Sequence, residues 1–376
     1  MNIEELADIL QLINTDGIGP VSFYNYVKKC GNVKNALELL RQKGKVIYSR
    51  QSAYDEIEKA EKLKVRILTY LDKNYPQNLL QLNDAPPVLY VYGNVELLNY
   101  QPAISIVGVR NASINGRKIA SRIAYDLTQN NVLVVSGMAR GIDAAAHKGA
   151  LYAQNQQGTT VAVLGTGVDE IYPLENTELY NNICWQGAVI SEFALGTKAQ
   201  VQNFPRRNRI IAALSSGTLV VEAGVHSGSL ITANFALEQG KDIFAVPGSP
   251  LEANSAGPNF LIKEGAILTE NAEDILNVLS MQSNRQMKTE QLSLALDKVK
   301  NNVNISEHKR EAQSEESETL GKANKLIGLI SYDGVDIDEL LRDSNLSQSE
   351  FFAELLELEF SGQIERQIGN KVVRIK

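Results

Sequence analysis

Six short apolar runs punctuate the middle of this chain, and each one has a small, glycine or polar residue at its last or next-to-last position. They are AISIVGV (103–109), VLVVSG (132–137), TTVAVLG (159–165), AVISE (188–192), GTLVVEA (217–223) and DIFAVPG (242–248). Amphipathic stretches such as NGRKIASRIAYDLTQN and SGSLITANFALEQG lie between them. Strands without polar alternation must be covered on both faces, and helical crossovers supply that cover. The predicted core is therefore α/β: a doubly wound, extended Rossmann-like, mostly parallel sheet over 71–280. In such a sheet the loops that follow the strands gather on one edge, where ligands bind.

The flanks read differently. Residues 1–70 are predicted helical, and LINTDGIGPVSFYNYVKKCG reads as helix, Gly-Ile-Gly-Pro turn, helix. Gly17 and Gly19 free the backbone, and Pro20 suits a first helical turn. Such helix-hairpin-helix (SAM-like) units can present backbone N–H groups to phosphates, but no Lys or Arg adjoins this turn, and a plain packing turn serves equally. Residues 281–320 contain no aromatic residue, Gly or Pro, and read as a polar linker with a transient helix near 290–300. Residues 321–376 are predicted to form three helices and a hairpin at Gly369-Asn370, a winged-helix pattern. Its third helix, 347–362, carries Glu350, Glu354, Glu357 and Glu359 but no Lys or Arg, whereas Arg366, Lys371, Arg374 and Lys376 lie in the wing. Carboxylates repel a phosphate backbone, so this helix is not expected to read duplex DNA, and the domain is expected to meet a protein partner or tune access to a site elsewhere in the chain.

At 376 residues and 44% hydrophobic, the chain can bury several cores. Two isolated cysteines, Cys30 and Cys184, make neither a disulfide framework nor a zinc cluster. The start MNIEELADIL lacks a secretory pattern, and no apolar run approaches ~20 residues, so a soluble cytoplasmic protein is expected. G-x-G-x-x-G and G-x-x-x-x-G-K-[ST] are both absent, which argues against nicotinamide, flavin and Walker-type nucleotide binding.

Within a chain of net charge −7, NFPRRNRIIAALSSG (203–217) concentrates Arg206, Arg207 and Arg209 at the start of a predicted helix. Positive charge there opposes the helix dipole, a cost that a bound anion would relieve. One arginine is expected to pair with a sheet-edge carboxylate such as Glu222, leaving the others for a ligand. Phe204 beside the cluster suits base stacking next to phosphate contacts. The plain alternative is a solvated basic face with Phe204 in the core. SGMARGIDAAAHKGAL (136–151) brings Gly137, Met138, Ala139, Arg140 and Gly141 to the same predicted edge, and VGVRNAS brings Arg110 and Asn111. From 104 to 211 there are ten Lys or Arg against seven Asp or Glu, so this half of the sheet is locally basic. Asp143 and His147 are i,i+4 but lack a third metal ligand nearby, and Ser136 lacks a nucleophile-elbow setting. At the far end, NFLIKEGAIL offers Phe260, Leu261, Ile262, Ile267 and Leu268 as a patch for a two-fold contact or for burial in the parent domain.

These segments resemble the DNA-processing protein A family (DprA, also called Smf). YPQNLLQLNDAPPVLYVYGN, SIVGVRNASINGRKIA, SGMARGIDAAAH, VAVLGTGVDEIYP, FPRRNRIIAALSSGTLVVEA, SGSLITANFALEQGKDIFAVPGS and GPNFLIKEGA occur in family order over about 210 residues. The resemblance implies a dimeric, cofactor-free protein of natural transformation that coats single-stranded DNA and loads the recombinase RecA onto it. It implies no catalytic or metal-binding residue. Its DNA-binding positions would be Arg110, Asn111, Gly137 to Gly141, Lys198, Phe204, Arg207, Asn208 and Arg209. The chain departs from the family pattern at Val201, where a lysine often stands, and at Glu175 and Glu178, which follow Tyr172-Pro173 in place of lysines. SSGTLVVEAG also resembles a phosphate-binding segment of lysine-decarboxylase-like nucleoside-monophosphate phosphoribohydrolases. In that rival reading Ser215-Ser216 replace Pro-Gly and Glu222 acts as the acid. A third reading is a scaffold that works only through RecA and its terminal domains.

Overall fold

Nine strands form one sheet in the order β1-β2-β6-β5-β4-β3-β7-β8-β9. They are β1 (Arg66–Thr69), β2 (Val88–Gly93), β3 (Ala103–Val107), β4 (Leu133–Ser136), β5 (Thr160–Val163), β6 (Ala188–Ser191), β7 (Gly217–Val220), β8 (Asp242–Ala245) and β9 (Ile267–Leu268). The computed structural model describes residues 2–153, 159–225 and 227–281, together with 329–330, 335–344, 351, 355, 358, 363–367 and 371–374. Pairing is parallel from β6 across to β9. Only β2 runs against the rest, so its pairings with β1 and β6 are antiparallel. Strands β3 to β8 are the six apolar runs, and all but the first residue of β8 are buried. The chain winds outward through β3, β4, β5 and β6, then crosses back to place β7 on the other side of β3. That reversal creates a crevice at the carboxyl end of β3.

Helices cover both faces. They are α5 (Ile114–Gln129), α6 (Ile142–Tyr152), α7 (Thr177–Gln186), α8 (Asn203–Leu214), α9 (Gly228–Glu238) and α10 (Ala256–Lys263). Residues 272–281 are also helical. One face buries α8 and α9 against β3, β5 and β7, with Val107, Val163, Ile210, Ile211 and Val220 at its centre. The other buries α5 and α6 on Ile104, Ile106 and Leu219. The α5–α6 contact is unusually close. A Cβ on Gly149 would sit 2.0 Å from the Ser121 carbonyl oxygen, so the helices touch backbone to backbone there.

The amino-terminal helices, α1 (Ile3–Ile13), α2 (Pro20–Cys30), α3 (Val33–Gln42) and α4 (Arg50–Lys62), share one core with the sheet. Leu10, Phe23, Leu37 and Ile57 belong to the same buried cluster as Tyr90, Ala162 and Val189. The Tyr90 hydroxyl donates to Glu56 at 2.6 Å, and Lys59 pairs with Asp169 at 2.7 Å. Gly17 and Gly31 take the left-handed backbone that these turns need.

A second unit begins at Thr289. In it β10 (Val335–Asp336), β12 (Lys371–Arg374) and β11 (Ile364–Gln367) form a three-stranded sheet in that order. Antiparallel β11 and β12 pair Gln367 with Lys371, which fits the hairpin reading. A helix, Ile337–Ser344, packs Leu340 with Phe351, Leu355, Leu358 and Val372. The polar segment from 282 to 320, the Gly369-Asn370 turn and Glu350, Glu354, Glu357 and Glu359 lie outside the described residues, as does the expected helix near 290–300.

Gly149→Ala forces α5 and α6 apart, and such overpacking costs about 1–3 kcal/mol. Urea denaturation is expected to show that loss, and an unchanged midpoint would contradict the packing described.

Candidate nucleic-acid interface

The crevice predicted by the strand order is a real cavity of about 430 Å3. Its walls come from the loop after β3 (Gly108 to Arg110), the loop after β4 (Ala139) and the start of α8 (Phe204, Asn208), with the start of α9 (Ser227 to Ser229) opposite. The loop after β3 is fixed by a carboxylate. Glu222 accepts hydrogen bonds from the Ser113 backbone N–H, at 2.9 Å, and from the Ser113 hydroxyl, while the Ser113 Oγ caps α5 through Gly116. A Cβ on Gly116 would lie 2.4 Å from that carboxylate. Glu222 therefore pairs with no arginine, which corrects the sequence expectation: the turn before α5 reaches it first. It is buried and does not line the cavity, so it is not placed as the acid that the phosphoribohydrolase reading required.

The loop after β4 owes its shape to Gly137 and Gly141. A Cβ on Gly141 would collide with the carbonyls of Val109 and Arg110, so these two loops press together. Met138 takes a positive φ of 63°, and its carbonyl accepts from Asn176 at 2.9 Å. Beneath the loop lies Arg207. Its guanidinium donates to the carbonyls of Gly137 and Val163, at the ends of β4 and β5, and its Nε donates to Asn208 at 3.1 Å. A Cβ on Gly137 would sit 2.3 Å from that guanidinium, so glycine is what lets the arginine in. Burial lowers the Arg207 pKa to about 10, and the group remains charged at neutral pH. Asp143 faces it, its carboxyl raised by burial against the pull of Arg207.

The basic cluster is thus mostly consumed internally. Arg209 is buried, pairing with Glu192 at 2.6 Å and Asp84 at 3.0 Å, and Arg206 reaches the same Glu192 at 3.1 Å. The sequence reading left two of the three arginines for a ligand. In the structure Arg206 and Arg209 share Glu192, and Arg207 is the floor of the site. Lys198 pairs with Glu170 at 2.7 Å, and Arg140 lies 3.5 Å from Glu175. Arg110 is exposed, with its guanidinium 5.2 Å from the centre of the Phe204 ring. Phe204 rests on Gly165 and is only partly buried. Asn111 is exposed on the same turn, and Asn208 donates to the Gly228 carbonyl at 3.3 Å. Tyr172 was not singled out in sequence. Its ring, 43% exposed, lies 5.5 Å from Phe204, which makes an aromatic pair. No periodicity marks Tyr172, because it sits in a loop.

Asp143 and His147 are not a metal pair. The Asp143 carboxylate accepts from the Ala139 N–H, and the His147 Nδ1 lies 2.7 Å from the Thr160 hydroxyl. That hydroxyl donates to the Val134 carbonyl, so Nδ1 must carry the proton. No group of three or more potential metal ligands occurs among the described residues. Ser136 donates to the Ile106 carbonyl from inside the sheet. At the far edge Phe260 and Leu268 are exposed, whereas Leu261 belongs to the parent core and Ile262 and Ile267 are half-buried.

Arg207→Ala strands two carbonyls and a buried carboxylate, and losing one member of such a buried set costs about 3–5 kcal/mol. Arg207→Lys is expected to recover only part, because an ammonium lacks the guanidinium fork. A wild-type melting curve for Arg207→Ala would contradict this role. His147 is neutral in the fold, with burial pulling its pKa down to about 3 from 6.5. The unfolded chain takes up a proton below pH 6.5 and the native chain does not, so this stability is present at neutral pH and lost on acidification. The loss is about 2 kcal/mol between pH 7 and pH 5. His147→Gln should flatten the denaturation free energy by about that amount over this range, and parallel curves would contradict it.

Comparisons with known proteins match all three parts of the chain. The family model for DNA recombination-mediator protein A matches residues 66–280, a DprA-like N-terminal helix-hairpin-helix domain matches 4–58, and the DprA winged-helix domain matches 310–370. DNA processing protein DprA of Streptococcus pneumoniae is 45% identical over 206 residues, covering 55% of this chain and 71% of that protein. Protein Smf of Synechocystis is 34% identical over 332 residues, covering 85% and 82%. The solved Streptococcus pneumoniae DprA structure superposes with a TM-score of 0.58 at 35% identity, over 73% of this chain and 93% of that one. A structure of the Helicobacter pylori protein, solved to explain its single-stranded DNA binding mode, gives 0.52 at 27% identity, over 58% and 97%. No helix among the described residues is long and apolar enough to cross a membrane. With three family models in order along the chain and the glycine-lined crevice at the carboxyl end of β3, this protein belongs to the DNA-processing protein A (DprA/Smf) family.

Proposed function

We propose that the crevice binds single-stranded DNA with little sequence preference, and that the chain acts in DNA uptake and recombination by protecting the strand and passing it to RecA. The observation that carries this is the Arg110–Phe204–Tyr172 cluster. A guanidinium beside two partly exposed rings offers one phosphate contact and a stacking surface that accepts any base. The starts of α6 and α9 border the same space, and helix amino termini favour anions. Arg140, Asn111 and Asn208 flank the path, with Lys198 further out. Arg207 and Arg209 act by holding α8 in place. Membership of a recombination-mediator family supports the RecA step. No observation on the crevice favours hydrolysis, since Glu222 is committed to Ser113.

Titration of the full chain with oligo-dT and with duplex DNA across a salt series tests this. Single strands should bind more tightly. Arg110→Ala should reduce the magnitude of the salt slope by about 0.7–1. Phe204→Ala should cost about 1–3 kcal/mol in a folded variant. Equal affinity for duplex, or a Phe204→Ala variant with unchanged affinity, would contradict the reading.

We propose further that the chain works as a homodimer through the β9 edge. Phe260 and Leu268 are about half exposed beside an edge strand, with Ile262 and Ile267 contributing at its margin. In sedimentation the wild type should be a dimer at micromolar concentration and Leu268→Glu a folded monomer; a monomeric wild type would overturn this proposal.

A further inference from the structure

A groove of about 750 Å3 runs between α5 and α6, separate from the crevice but adjoining it. Its floor is made by the close helix contact at Gly149 and by Ala144 and Ala145. Its walls follow from helical spacing. Arg117, Ser121 and Tyr125 recur every fourth residue on α5, with Lys118 and Arg122 one step round. Ala144, Lys148 and Tyr152 repeat the same spacing on α6. From Ile114 to Tyr125 the α5 wall is about 17 Å long, at 1.5 Å per residue.

The groove is chemically one-sided. Arg117, Lys118, Arg122, Arg140 and Lys148 line it, and no Asp or Glu does. Arg122 pairs with Asp126 at 2.7 Å, and Arg140 lies near Glu175. Arg117 donates to the Ala112 carbonyl at 2.6 Å, which holds it along the wall. Lys118 and Lys148 are exposed. In a chain of net charge −7, this concentration of cations in one channel complements a polyanion. Tyr125 and Tyr152 add exposed rings, 36% and 71% accessible. Cations interleaved with exposed aromatic rings suit unstacked bases on a phosphate backbone better than an acidic peptide. Arg140 lines both this groove and the small recess beside Phe204, and Gly141 joins the two loops.

We propose that the α5–α6 groove is a second, contiguous track for single-stranded DNA, which carries the strand onward from the crevice past Arg140. The proposal rests on the reading of the crevice as a single-strand site. It is tested on the full chain with fluorescent oligo-dT of about 6 and about 20 nucleotides, since comparable sites span ~4–16 nucleotides. Wild type should bind the longer strand more tightly. The double variant Lys118→Glu/Lys148→Glu should keep its short-strand affinity within about twofold of wild type. It should lose tenfold or more for the long strand, and its salt slope should shrink by about 1.4, at ~0.7 per released phosphate contact. Tyr152→Ala should lower long-strand affinity alone. Unchanged long-strand binding in these variants would overturn the track. So would equal losses at both lengths, which would report the general field and not a path. A wild type that binds neither length refutes the crevice reading itself, and the track falls with it.

Discussion

The buried guanidinium of Arg207 holds the functional edge together. It ties α8 to the carbonyls that end β4 and β5, and it sits where a side chain on Gly137 would otherwise be. A cation taken out of water is costly unless its hydrogen bonds are met, and here two carbonyls and Asn208 accept from it while the charge of nearby Asp143 favours it. Because α8 is fixed at Arg207, Phe204 lies one turn earlier on the same helix, seated on Gly165 and facing Tyr172 and Arg110. The aromatic surface proposed to stack bases is therefore placed by a charge that is almost wholly buried.

This changes how the basic cluster should be understood. Most of the positive charge near 203–209 is spent within the fold, on Glu192, Asp84 and backbone carbonyls. The charge available to a ligand comes from loops and from the outer helices, above all Arg110, Arg140 and the α5–α6 wall. An acidic chain can then hold a polyanion through local fields, because screening confines interactions to about 10 Å at moderate salt. Glu170 and Glu175, beside Lys198 and Arg140, temper that field at one margin.

Much of this was legible in the sequence. The six apolar runs became β3 to β8, and the glycine loop and the arginine-rich helix fell on one edge as the strand order requires. What escaped has physical reasons. β1 and β9, with four and two residues, are too short for any periodicity to register. β2 is longer, but it follows a proline-rich turn that masks it. The sequence grouped Arg206, Arg207 and Arg209 at one helix start but could not say that Arg207 would be buried as the floor of the site. That depends on Gly137, seventy residues away. Glu222 was expected beside an arginine because the strand order places it at the edge; the close approach of Gly116 gave its carboxylate to Ser113 instead. Leu261 turned inward because α10 needs a buried face against β8.

The single strand is proposed to lie across the Arg110–Phe204–Tyr172 cluster. Photo-crosslinking of the full chain to an oligonucleotide of 4-thiothymidine, followed by peptide mapping, tests it directly. The dominant adducts are expected at Phe204 and Tyr172, with weaker ones toward Tyr152 on longer strands. Adducts confined to residues 329–376 or to α1–α4, with the crevice peptides unmodified, would contradict it.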